Sequence, residues 1–109
     1  MTNSLKVLAQ SNPAAQVLTA AYAVPAATSA TLSSIVVCNS GSAPDKFRIA
    51  VAVGGAADAA KQYLYYDVDV PAYESFVLTI GITLGAGDVV RVYAGGPTLS
   101  FNIFGVEVT

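Results

Sequence analysis

A chain of 109 residues is long enough for one hydrophobic core and too short for a second catalytic or nucleotide-binding domain. Only 11% of its residues are charged, against roughly 25% in an ordinary domain, while 54% are hydrophobic. Five cations scattered as Lys6, Lys46, Arg48, Lys61 and Arg91, with seven acids and no histidine, give a formal charge of −2 and argue against direct nucleic-acid binding.

Residues Met1 to Ala15 read as a polar arm without a clear period, of the kind that extends over a neighbouring subunit, and residues 16–109 read as the folded domain. Val17 to Tyr22 suits a first short strand. Pro25 to Ser29 suits a turn or edge segment, because proline lacks the ladder donor. Thr31 to Asn39 is a Val/Ile-rich strand in which Cys38 is expected to be buried beside Ile35, Val36 and Val37. The NSGSAPD stretch from Asn39 to Asp45 is a loop on composition.

Lys46 to Val53 alternates, with Phe47, Ile49, Val51 and Val53 on one face and Lys46, Arg48, Ala50 and Ala52 on the other. After the small-residue loop GGAADAAK, Gln62 to Val70 repeats the pattern. Leu64, Tyr66, Val68 and Val70 are expected inward, and Tyr63, Tyr65, Asp67 and Asp69 outward. Glu74 to Leu84 alternates most sharply, through Phe76, Leu78, Ile80, Ile82 and Leu84. The Gly85–Asp88 turn then predicts a hairpin to Val89–Ala94. In the last segment Leu99, Phe101 and Ile103 give way to Phe104, Val106 and Val108, a phase change that a bulge near Gly105 would explain.

Seven such strands with turn signals between them predict an all-β fold, an antiparallel β-sandwich of immunoglobulin-like or jelly-roll type. A small β-barrel is the second choice. No run of apolar residues reaches the length of a membrane helix, and Gln10, Ser11, Asn12 and Pro13 interrupt any leader-like core, so no membrane partner is expected.

Little here points to catalysis. A hydrolase triad lacks its histidine, and a single cysteine offers neither a disulfide nor a cysteine metal site. Asp67 and Asp69 share a strand face, where pairing with Arg48 or Lys46 across the sheet is the plainer reading than an acid–base couple. Asp88 suits a turn-stabilising role, and Glu74 and Glu107 default to the surface. The chain is therefore expected to be no enzyme and to need no cofactor or metal.

The aromatic residues carry the candidate site. Tyr63, Tyr65, Asp67, Tyr73 and Tyr93 form the expected interface set, since large amphipathic rings on an outward face suit an interface anchor. Cross-strand packing and a carbohydrate platform are the competing uses. Depletion of charge points the same way, because lasting interfaces are poor in Lys, Glu and Asp.

Five segments give the sequence a resemblance to a family of small virion proteins of tailed bacteriophages, of cyanophage and marine-phage type. They are LTAAYAVPAATSATLSSIVVCNSG (Leu18 to Gly41), FRIAV (Phe47 to Val51), KQYLYYDVDVP (Lys61 to Pro71), TIGITLGAGDVVRVYAG (Thr79 to Gly95) and LSFNIFGVEV (Leu99 to Val108). The resemblance implies an all-β structural component of the particle, assembled in the host cytoplasm: a capsid cement or decoration protein, or alternatively a small tail or fibre component that binds host-surface glycans. Its implied partners are other copies of itself, trimers at local three-fold positions included, and the major capsid or tail proteins. It brings no catalytic motif and no binding residues of its own.

Overall fold

The structure, a computed structural model, describes residues 2–109 and contains, among them, nine strands. In chain order these are β1 (Asn3–Ser11), β2 (Thr19–Ala23), β3 (Ser29–Asn39), β4 (Asp45–Ala52), β5 (Tyr63–Val70), β6 (Ser75–Leu78), β7 (Ile82–Leu84), β8 (Val89–Ala94) and β9 (Leu99–Val108). Two single 3-10 turns, Val53–Gly55 and Ala60–Gln62, lie between β4 and β5.

Pairing runs from the outside of the sequence inward: β1 with β9, β2 with β8, β3 with β6 and β7, and β4 with β5, all antiparallel. Folding this ladder over on itself gives two sheets, β1-β9-β3-β6/β7 and β2-β8-β4-β5. That is the jelly-roll order, so of the two expected sandwich types the immunoglobulin-like one is set aside. The reason is topological. β1 returns to the last strand instead of pairing with its sequence neighbour, and only β9 and β8 sit between early strands.

The core lies between the sheets. Phe47, Ile49, Val90 and Val92 from one sheet meet Leu32, Ile35, Leu99, Phe101 and Ile103 from the other, all essentially excluded from solvent. Phe47 is the aromatic hub, with ring centroids 5.5 Å from Phe76, 6.1 Å from Tyr65 and 6.2 Å from Phe101. Each such ring buried contributes about 2–3 kcal/mol. One polar side chain is buried as deeply. Asn39 donates from Nδ2 to the carbonyls of Ala43 and Val70, and its Oδ1 accepts from Gly41 N–H and the Thr98 hydroxyl. All its donors and acceptors are used, so a loop-like NSG sequence becomes a fastener between the two sheets.

Several expectations change in the fold. The supposed arm is β1, an edge strand of the domain's own sheet; its first five residues are exposed on both faces, so no burial period marks it. Met1 lies outside the described residues. The strand expected over Glu74–Leu84 is two, because the three residues between Leu78 and Ile82 face only two between Ile35 and Leu32, and Ile80 is left in solvent. With β1, this raises the expected seven strands to nine. No β7–β8 hairpin forms, since the Gly85–Asp88 turn carries the chain from one sheet to the other. Asp88 does hold that turn, accepting from Gly85 N–H and also from Gly54 N–H.

Cys38 is half-buried on the outer face of β3, not in the core. Along β9, burial alternates without a phase change, and the irregularities lie in its neighbours, at Leu8 of β1 and Ser33 of β3. Both fall beside Gly105. A Cβ there would lie 2.2 Å from the Thr31 carbonyl oxygen and 3.0 Å from Leu32 Cα, so only glycine lets β3 approach so closely.

Unbroken alternation also turns Glu107 inward, contrary to the surface position expected for it. The carboxylate accepts from the Tyr22 hydroxyl at 2.5 Å, across to the other sheet, and pairs with Lys6 Nζ at 2.6 Å. Lys6 first, then Tyr22, hold the carboxyl below the usual carboxylate range. Burial, and then the Glu107 hydrogen bond, push the Tyr22 phenol far up, so it stays protonated well into the alkaline range.

Two outcomes follow from this packing. Gly105→Ala forces the β3 backbone to move and lowers unfolding free energy by about 1–3 kcal/mol, measured by denaturant titration. Glu107→Gln lowers the melting temperature at neutral pH. Since the native carboxyl titrates below its unfolded value near 4.5, the ion-pair contribution is complete above that value and lost as pH falls through the native one. The gap between wild type and Glu107→Gln should therefore close in acid; a gap constant with pH would refute the linkage.

Candidate functional site

Two outer faces flank the core, and their chemistries differ. On the β1-β9-β3-β6/β7 sheet, cross-strand rows read Leu5–Val106–Thr31–Thr83, Val7–Phe104–Ser34 and Gln10–Asn102–Val36–Val77. No charged side chain stands in these rows. Leu5 is 79% exposed and Val77 58%, while Gln10 Nε2 donates to Asn102 Oδ1 at 2.7 Å within the same face. A face of this kind gains by burial against another apolar protein surface and offers nothing to a charged ligand.

The opposite sheet carries the aromatic site. β5 holds extra residues relative to β4: Phe47 opposes Val68, but Ile49 opposes Tyr65 and Ala50 opposes Tyr63. One of these irregularities falls at Asp67, whose φ of 53° is tolerable because a short polar side chain adopts the left-handed region more readily than a bulky one. Each slip moves following side chains to the other face. Tyr65 therefore turns inward against Phe47 and Phe76, while Tyr66 turns outward. This reverses the facing expected for both.

Arg48 organises the outward set. Its Nε lies 2.7 Å from Asp67 Oδ1 and its Nη2 3.3 Å from Oδ2, a bidentate fork. The guanidinium carbon lies 4.0 Å from the Tyr66 ring centroid and 4.2 Å from that of Tyr93, its neighbour across β4 and β8. Tyr66 in turn meets Tyr63 edge-on at 5.1 Å, and the Tyr63 hydroxyl donates to Asp58 Oδ2 at 3.2 Å. Asp67 holds the guanidinium more basic than usual, and Arg48 holds the Asp67 carboxyl below its ordinary value. Both stay charged over the working pH range. Burial, then Asp58, raise the Tyr63 phenol, which stays protonated.

Of the five expected interface residues, Tyr63, Asp67 and Tyr93 thus come together around Arg48. Tyr65 faces the other way, half-buried against the core. Tyr73 stands apart, 73% exposed in the turn beyond the Val70 end of β5, with its N–H on the Gly41 carbonyl. The residues missing from the expected set are Arg48 and Tyr66. Consecutive aromatics in YLYYD were the available signal, because a run without alternation ahead of an aspartate suits a bulge.

The connection from Val53 to Gln62 folds back over the same sheet. Arg91 Nη2 donates to the Gly55 carbonyl, and Ala50 and Ala52, on the outward side of β4, are fully buried beneath it. Beside this connection, Arg48, Asp58, Ala59, Ala60, Tyr63 and Tyr66 enclose an open cleft of about 500 Å³. Among the described residues, no group of three or more Cys, Asp or Glu side chains is placed to hold a metal ion.

No protein-family model matches the chain, and no curated protein matches it.

Proposed function

We propose that this protein is a non-enzymatic structural component of a bacteriophage virion, a capsid cement or decoration protein that stabilises contacts between capsid subunits. The observation that carries this reading is the uncharged outer face of the β1-β9-β3-β6/β7 sheet, with Leu5, Val7 and Val77 in solvent. Placement in a tailed-phage particle rests on the resemblance of the five segments. Jelly rolls serve in capsid proteins and also in lectins, so the fold is compatible with this role.

The mechanism is mechanical. A prefolded sandwich lays its neutral face across neighbouring subunits, and separating them under internal DNA pressure re-exposes the apolar area. A specific contact of this type buries about 800 Å² per partner. Other copies of the chain fit such a face as well as capsid protein does, because two uncharged surfaces meet without repulsion.

A second reading, a small tail or fibre component that binds host-surface glycans, is favoured by the tyrosine- and arginine-lined cleft on the other sheet.

Electron microscopy of the intact particle separates the two. Copies lying over capsid subunit junctions, neutral face inward, support the cement reading; density confined to the tail, or none, overturns it. A Leu5→Glu/Val77→Glu variant changes only exposed side chains, so it should fold normally yet load onto particles at least tenfold less. Maleimide labelling of Cys38, on the same face, should be slower in the particle than in the free protein. Equal rates would place the contact elsewhere.

A further inference from the structure

We infer that the cleft beside Arg48 is a binding site for a neutral hexopyranose, with the sugar ring against Tyr66. Its volume of about 500 Å³ falls in the range of small-molecule sites. The inference deepens the tail or fibre reading and rests on it for its biological role, but its chemistry stands on the cleft.

Three features select the ligand class. The first is apolar surface. Tyr66 is 58% exposed, and Ala59 and Ala60 line the cleft beside it, so the C–H face of a sugar finds a ring and two methyl groups. The second is paired polarity. Arg48 commits Nε and Nη2 to Asp67, and among the described residues Nη1 has no hydrogen-bond partner. Asp58, which also lines the cleft, uses Oδ2 for Tyr63, while among the described residues Oδ1 has none. A donor and an acceptor carried by two residues that line one cleft match vicinal hydroxyls, each of which donates and accepts.

Charge is the third feature. Arg48 and Asp67 neutralise one another, which leaves Asp58 in the lining to oppose a carboxylate or phosphate, whereas the guanidinium stacked on Tyr66 keeps a second cation from that ring. A neutral polyhydroxyl ligand escapes both penalties. Preorganisation helps it: Tyr66 is clamped by Arg48 on one side and Tyr63 on another, so little rotamer freedom remains to be lost on binding. One open, shallow site predicts millimolar affinity for a single ring, with avidity gained only through many copies.

The test is a two-dimensional amide NMR titration of the whole chain with methyl glucoside, N-acetylglucosamine and maltotriose, and with glucuronate and glucosamine as charged counterparts. Shifts at Arg48, at residues 58–66 and at Tyr93, saturating at tens of millimolar for a neutral sugar and weaker for both charged ones, are expected. Tyr66→Ala should weaken binding at least tenfold with the remaining spectrum unchanged, and Tyr73→Ala should leave binding intact. No shift with any neutral sugar, tighter binding of a charged one, or indifference to Tyr66→Ala overturns the inference. Sugar binding by a protein found only on capsids would remove the tail role and leave the site standing.

Discussion

In a sheet, the address of every side chain is its register. The side-chain period is two, so one extra residue sends everything after it through to the opposite face. This protein depends on a few such slips. Extra residues at Leu8 and Ser33 let β1 and β3 close on the Gly105 region of β9, and the slips along β5 turn Tyr65 into the core and Tyr66 out of it. Both outer faces, and the cleft on one of them, are consequences of where the ladder gains a residue.

This is also the boundary of what could be read in advance. Alternation in β4 and β8 was plain, because one side of each strand meets the Phe47–Phe101 core and the other does not, whereas the continuous Val/Ile run of β3 hid that Val36 and Cys38 face outward. The alternation delivered the sandwich and put Arg48 and Tyr93 each on the outward side of its own strand. β1 left no trace, being exposed on both sides. The bulges were illegible for a different reason. Leu8 and Ser33 carry no conformational signature, and Gly105, which does, marks the strand being approached and not the strand that bulges. Tyr63, Asp67 and Tyr93 therefore do share a face around Arg48, while Tyr65 and Tyr66 exchanged places.

Low charge content acquires a structural meaning in this light. Many of the charged groups act as internal fasteners. Lys6 and Glu107 join β1 to β9 and, through Tyr22, one sheet to the other. Asp88 and Asp45 cap turns through backbone N–H groups, and Arg91 pins the Val53–Gln62 connection. Arg48 and Asp67 neutralise one another. Such groups do not double as a solubilising coat, and one whole face goes without any.

A face without charge associates differently from the steered surfaces common in transient complexes. Electrostatic complementarity chiefly accelerates encounter and sharpens selection, and that benefit fades with salt. Apolar burial supplies holding strength that salt does not screen, at the expense of a slower approach. That balance suits a protein meeting a lattice of repeated sites, where encounters are frequent and release is the event to prevent. The aromatic–ionic face has the opposite character: its charges are internally compensated, its rings are held in place, and its contacts are polar and shallow. At 20 Å along its shortest axis, the domain keeps these two chemistries apart by little more than the thickness of two packed sheets. The two proposed contacts, apolar on one side and polar on the other, would therefore not compete, because neither borrows a residue from its counterpart.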